Sequence, residues 1–93
     1  MQQQFKANAY HAAMADYGVR LDDALKARAV TYGQLASHLG TTYQAVKKVI
    51  DGKTKEFSAS NHAKACAYLN ISPDWLLDGA GDCTETRQQQ NGN

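Results

Sequence analysis

The stretch Val30-Thr31-Tyr32-Gly33-Gln34-Leu35-Ala36-Ser37-His38-Leu39-Gly40-Thr41-Thr42-Tyr43-Gln44-Ala45-Val46-Lys47-Lys48-Val49-Ile50-Asp51-Gly52 decides the fold. It reads as two short helices in quick succession. Thr31 stands where an N-cap is needed, and Gln34, three residues on, completes a capping box. Leu35, Ala36 and Leu39 give this helix its apolar side. Gly40 stops it after Leu39, because glycine enters the left-handed region without a Cβ penalty. Thr42 is a second N-cap. The helix it opens runs from Tyr43 to Ile50, with Val46, Val49 and Ile50 facing inward, and Asp51-Gly52 ends it.

Two helices of about two turns each, joined across Leu39-Gly40-Thr41-Thr42, match the geometry of a helix-turn-helix, whose second helix can enter the major groove of DNA. Ala36 lets the two helices approach, and Val46 fills the gap between them. The outward face of the second helix is then Tyr43, Gln44, Lys47 and Lys48. Glutamine can bond adenine through two atoms, and lysine can reach guanine or a phosphate. The Thr42 hydroxyl can cap the helix and also donate to a phosphate. Lys53 and Lys55 follow at a spacing suited to the flanking backbone.

The flanks also read as helices. Residues 7–14 are mostly alanine with Tyr10, His11 and Met14, and Gly18 is expected to interrupt or end a helix there. Leu21, Ala24, Leu25 and Arg28 share one helical face. Residues 53–57 form a loop. Ser58 or Ser60 starts a helix running to Leu69, with alanines, Cys66 and Leu69 inward. Asn70-Ile71-Ser72 is a turn. Ser72 caps a last short helix whose first residue, Pro73, needs no N–H. Trp75 with Leu76 or Leu77 closes the core. No hairpin turn stands between alternating apolar runs, so the fold is all-α.

With 93 residues and 10.2 kDa the chain is long enough for one small domain. Hydrophobic residues at 43% and charged residues at 20% separate it from disordered chains. The net charge of +1 hides a gradient. Residues 1–40 carry a net +1, residues 41–64 carry five Lys against Asp51 and Glu56, and residues 65–93 carry Arg87 against four acids. The middle of the chain can therefore face a polyanion while the end cannot.

The expected layout is an N-terminal extension over 1–17, partly helical, a helix-turn-helix domain over 18–78, and a flexible tail or truncated linker over 79–93. Cys66 and Cys83 give neither a disulfide framework nor a metal spacing, and both fit a reducing compartment. Cys66 is expected to be a buried thiol. His11, His38 and His62 are scattered, with no carboxylate or thiol spacing that builds a metal or catalytic set. No phosphate loop, carboxylate pair or nucleophile elbow is present, so no enzyme, cofactor or metal is expected. No apolar run reaches membrane-spanning length and no signal-peptide core follows Met1, which points to the cytoplasm.

From about Val19 to Leu77 the chain resembles the helix-turn-helix domain of the phage repressor and Cro family. The most specific part is Val30 to Val46. Leu69-Asn70-Ile71-Ser72-Pro73-Asp74-Trp75-Leu76-Leu77 resembles the family's last two helices. The resemblance implies a compact five-helix bundle of the lambda-repressor-like type. It also implies binding of double-stranded operator DNA as a homodimer on two half-sites, with transcription controlled by occluding RNA polymerase or by touching it. The family's base-reading positions fall on Tyr43, Gln44, Lys47 and Lys48. A position that aids backbone contact and usually holds Gln is here Tyr32, whose hydroxyl can donate. Tyr43 replaces the common Gln of a principal base reader, and Val49-Ile50-Asp51-Gly52 departs from the family's usual ending, with Ile50 where an acid is common. Ala80-Gly81 has the composition of the bond at which longer repressors cleave themselves, but no Ser- and Lys-bearing β domain follows it. The alternative is an antitoxin-like or adaptor protein whose main partner is another protein, with residues 79–93 as its binding segment.

Overall fold

The computed structural model describes residues 16–80. The expected helix over 7–14, Cys83 and nearly all of the tail lie outside the described residues. Within them the chain forms five helices: α1 Tyr17–Arg28, α2 Tyr32–Leu39, α3 Tyr43–Ile50, α4 Ala59–Leu69 and α5 Pro73–Asp78. The order and character match the all-α five-helix reading.

Local chemistry accounts for most helix ends. The Thr31 hydroxyl accepts from the Gln34 N–H at 3.0 Å, and the Gln34 side chain accepts from the Thr31 N–H at 2.9 Å. The capping box is thus complete. Thr42 accepts from Ala45 N–H at 3.0 Å, Ser58 from Asn61 N–H at 3.3 Å and Ser72 from Trp75 N–H at 3.3 Å. Of the two serines that could open α4, Ser58 is therefore the cap. Gly40 ends α2 in the left-handed region at φ 71°.

Gly18 departs from its expected role. It lies in the first turn of α1, is buried, and ends nothing. A Cβ there would come within 2.5 Å of the carbonyl oxygens of both Val49 and Ile50. The glycine is needed because the N-terminus of α1 meets the C-terminus of α3 backbone to backbone, not because a helix must stop. That approach also brings the positive end of one helix dipole to the negative end of another. Tyr17, counted by sequence with the N-terminal extension, opens α1 and is buried in the core.

Leu21, Ala24 and Leu25 of α1, Leu35 and Leu39 of α2, and Val46 and Val49 of α3 meet Cys66 and Leu69 of α4 and Trp75 and Leu76 of α5 in one cluster. Leu77 points outward and Ile50 is half-buried, so α5 contributes Leu76 and the inward face of α3 is narrower than its sequence pattern. The helices α1, α4 and α5 pack on one another, and the α2–α3 pair sits on α1 and α4.

Long-range polar bonds lock α1, α4 and α5 together. Arg20, almost fully buried, donates from Nε to the Leu76 carbonyl at 3.0 Å and from Nη2 to the Leu77 carbonyl at 3.0 Å. Arg28, two turns on, donates to the Leu69 carbonyl at 2.7 Å and to Asn70 at 3.1 Å. Two arginines on α1 thus satisfy orphan carbonyls at the ends of α5 and α4. The Tyr17 hydroxyl lies 2.8 Å from His62 Nδ1, and His62 Nε2 lies 3.2 Å from the Pro73 carbonyl. A carbonyl only accepts, so His62 Nε2 carries a proton and donates to Pro73. Burial pushes the Tyr17 phenol far above its ordinary value. Trp75 is fully buried, and its indole N–H has no hydrogen-bond partner.

Candidate nucleic-acid interface

Capping at Thr42 and burial of Val46 and Val49 fix the rotation of α3 about its axis. Tyr43, Gln44 and Lys48 consequently face solvent, and Lys47 is half-buried beside them. Tyr43 is half exposed, a large aromatic at the first position of the helix. After α3 the backbone doubles back. The N–H groups of Lys53 and Thr54 both donate to the Lys48 carbonyl, at 2.8 and 3.0 Å. That strap satisfies an end carbonyl of α3 and fixes the start of the loop carrying the exposed Lys53 and Lys55. Between loop and helix lies a groove of about 410 Å³ whose walls include Thr42, Gln44, Lys48, Thr54, Ser58 and Asn61. The N-termini of α3 and α4 both open on it, so its rim has hydrogen-bond donors, one flanking cation, Lys48, and one flanking carboxylate, Glu56.

The sequence-predicted contacts do not all stand free. The Tyr32 hydroxyl donates to Asp22 Oδ1 at 2.7 Å, and the other oxygen of Asp22 pairs with Lys26 at 2.9 Å. Tyr32 is therefore committed to α1, and the Asp22 hydrogen bond, with some burial, pushes its phenol up to about 12. Its ring lies 6.0 Å from the ring of Tyr43, centroid to centroid, at 48°. The two aromatics brace each other across the turn. Lys47 donates to both carboxylate oxygens of Asp51, at 3.0 and 3.1 Å. The hydrogen bond that Lys47 donates to Asp51, and the charge of that carboxylate, raise the Lys47 ammonium above the ordinary lysine value.

Sequence reasoning missed the two acids that hold these side chains. Asp51 was visible as an i, i+4 partner of Lys47. Asp22 had no such signal, because it meets Tyr32 only when α1 and α2 cross. Elsewhere, His38 is exposed and its ring stacks on Tyr68 with centroids 4.1 Å apart. Among the described residues, no group of three or more His, Cys, Asp or Glu is placed to hold a metal ion, and no helix is long and apolar enough to cross a membrane.

A surface of this kind, on a capped two-helix motif set into a five-helix bundle, gives the chain the helix-turn-helix fold of the phage repressor and Cro type. Solved structures similar to it include the P22 c2 repressor protein, crystallised in complex with the synthetic operator 9T in the presence of Tl+. The two are 25% identical with a TM-score of 0.65, and the match covers 70% of this chain and 97% of that one. No protein-family model matches the chain, and a search of curated proteins returns no match.

Proposed function

We propose that the chain binds double-stranded DNA sequence-specifically and regulates transcription from the bound site, as a phage-type repressor working in the cytoplasm as a homodimer. The observation that carries the reading is the outward set Tyr43, Gln44 and Lys48 on a helix whose buried side is fully engaged in the core. Gln44, in the first turn of α3, supplies a directed pair of donor and acceptor for adenine N7 and N6. Lys47 and Lys48 stand beside it. Tyr43 offers an apolar ring edge for a thymine methyl. Thr42, Lys53 and Lys55 flank the helix as phosphate contacts, and Tyr32 serves the same edge by bracing Tyr43. Arg20 and Arg28 are occupied inside the fold, so the lysines around α3 supply the attraction for phosphate. The bound protein excludes RNA polymerase or touches it.

Selection from a random duplex library, followed by a base-substitution scan of the enriched site, tests the reading. Wild type should enrich a two-fold symmetric sequence. Gln44→Ala should flatten the preference at one base pair of each half-site by about 1–3 kcal/mol and leave binding to unrelated duplexes nearly intact. A Gln44→Ala protein that binds every duplex more weakly by one common factor would remove glutamine from the base-reading set. Failure of wild type to enrich any sequence would overturn the proposal.

A further inference from the structure

The C-terminal end of α3 holds an acid where two considerations argue against one. A carboxylate at a helix C-terminus opposes the helix dipole. On a face that meets DNA it also repels phosphate. Asp51 nevertheless occupies the C-cap of α3 and takes both of its oxygens to the ammonium of Lys47, at 3.0 and 3.1 Å. A lysine ammonium has three N–H donors. The two oxygens of one carboxylate lie too close together for two tetrahedral N–H groups to aim at one each, so a single N–H is shared between them and two remain. The ion pair is partly covered, with the Lys47 side chain 44% and the Asp51 side chain 39% exposed.

Resting on the reading of α3 as the DNA-reading helix, we infer that Asp51 is a positioning residue of that edge: it fixes the Lys47 ammonium, cancels its charge, and leaves the remaining N–H groups aimed away from Asp51 for acceptors on a base. Lys47 then differs in kind from Lys48, whose ammonium is exposed and adds to the general attraction for a polyanion. The acceptors that such a held ammonium suits best in the major groove are guanine O6 and N7. The pair converts a mobile cation, which would favour all duplexes alike, into an aimed donor that favours one base.

The experiment compares wild type, Asp51→Asn, Lys47→Met and the double variant on the selected duplex and on an unrelated duplex, across a salt series. Asp51→Asn should free the lysine charge, so the slope of log affinity against log salt should steepen by about one unit. The unrelated duplex should gain about two- to five-fold, the worth of an exposed ion pair, and the selected duplex less, so discrimination falls. Lys47→Met should lose preference at one base pair while its salt slope stays at the wild-type value. In the Lys47→Met background, Asp51→Asn should no longer steepen the slope. A melting curve of Asp51→Asn at or above wild type shows that the fold is intact, and Lys47→Met tests the inference independently if it is not. An equal gain from Asp51→Asn with and without Lys47 would mean that Asp51 only repels phosphate, and would overturn the inference. So would a slope that flattens by about one unit in Lys47→Met. If wild type reads no sequence at all, the DNA-reading proposal falls and this inference with it; if wild type reads a site and the slopes disagree, only the inference falls.

Discussion

The α1–α4–α5 platform and the α2–α3 motif are held together by different means. In the platform, side chains reach across the chain to finish other helices: Arg20 bonds carbonyls 56 and 57 positions away, Arg28 carbonyls 41 and 42 away, and Tyr17 a histidine 45 away. In the motif, Thr31, Gln34, Gly40 and Thr42 satisfy helix ends within a turn of themselves. The motif closes its helix ends locally, while the platform adds these long-range bonds to its own local caps at Ser58 and Ser72. A surface built from local caps can exchange its outward residues, Tyr43, Gln44, Lys47 and Lys48, without disturbing the scaffold beneath it.

The joint between the two regions is Val46, fully buried in α3. Val46→Asp should abolish cooperative melting, because an unpaired carboxylate there costs on the order of 5 kcal/mol, about a small domain's whole stability. A cooperative melt near the wild-type temperature would mean that α3 can turn away from the platform. Arg20→Met comes next. It leaves the buried Leu76 carbonyl without its donor and should lower stability by about 1–3 kcal/mol, read from the denaturant midpoint at unchanged m. DNA affinity per folded molecule should not change, since the motif is untouched. Thr31→Ala, on the motif side, removes a local cap and should cost about 0.5–2 kcal/mol. Hydrogen exchange should show that loss concentrated in the first turn of α2; protection lost evenly through α1, α4 and α5 would erase the distinction between the regions.

The smallest effect links the regions through Tyr32 and Asp22. The phenol is raised from 10 in the free side chain to about 12 in the fold. The folded state therefore favours the protonated form. Its contribution is complete below pH 10 and is lost as pH rises from 10 through about 12. Wild type should be more stable than Tyr32→Phe at pH 9, and the gap should close above pH 10. A gap that is constant across that range would mean that the hydroxyl does not hold Asp22 in solution.

The same contrast explains what was legible. The caps, the turn at Gly40 and the bounds of α2 and α3 could be read because each depends on residues three or four apart. The outward face of α3 followed from the phase set by Val46 and Val49. Gly18 was misread, since a glycine that admits another backbone looks in sequence like one that ends a helix. The commitment of Tyr32 to Asp22 was invisible, because nothing in the chain between them announces that α1 and α2 bring them together. Ser58 and Ser60 are equally good caps by residue type, and packing chose between them.

The sealed indole of Trp75 makes the molecule its own instrument. It is the one tryptophan in the sequence and lies on α5, which packs on α1 and α4 and away from the outward face of α3. Its emission in the native state should sit at the short-wavelength end of the tryptophan range, because the indole is fully buried and no protein acceptor meets its N–H. Unfolding should shift the band to the red in a single step. Titration with duplex should leave it almost unmoved, while the Tyr43 and Tyr32 rings respond. One cuvette thus separates loss of structure from occupation of the surface, and every variant above can be sorted by which of the two signals it moves.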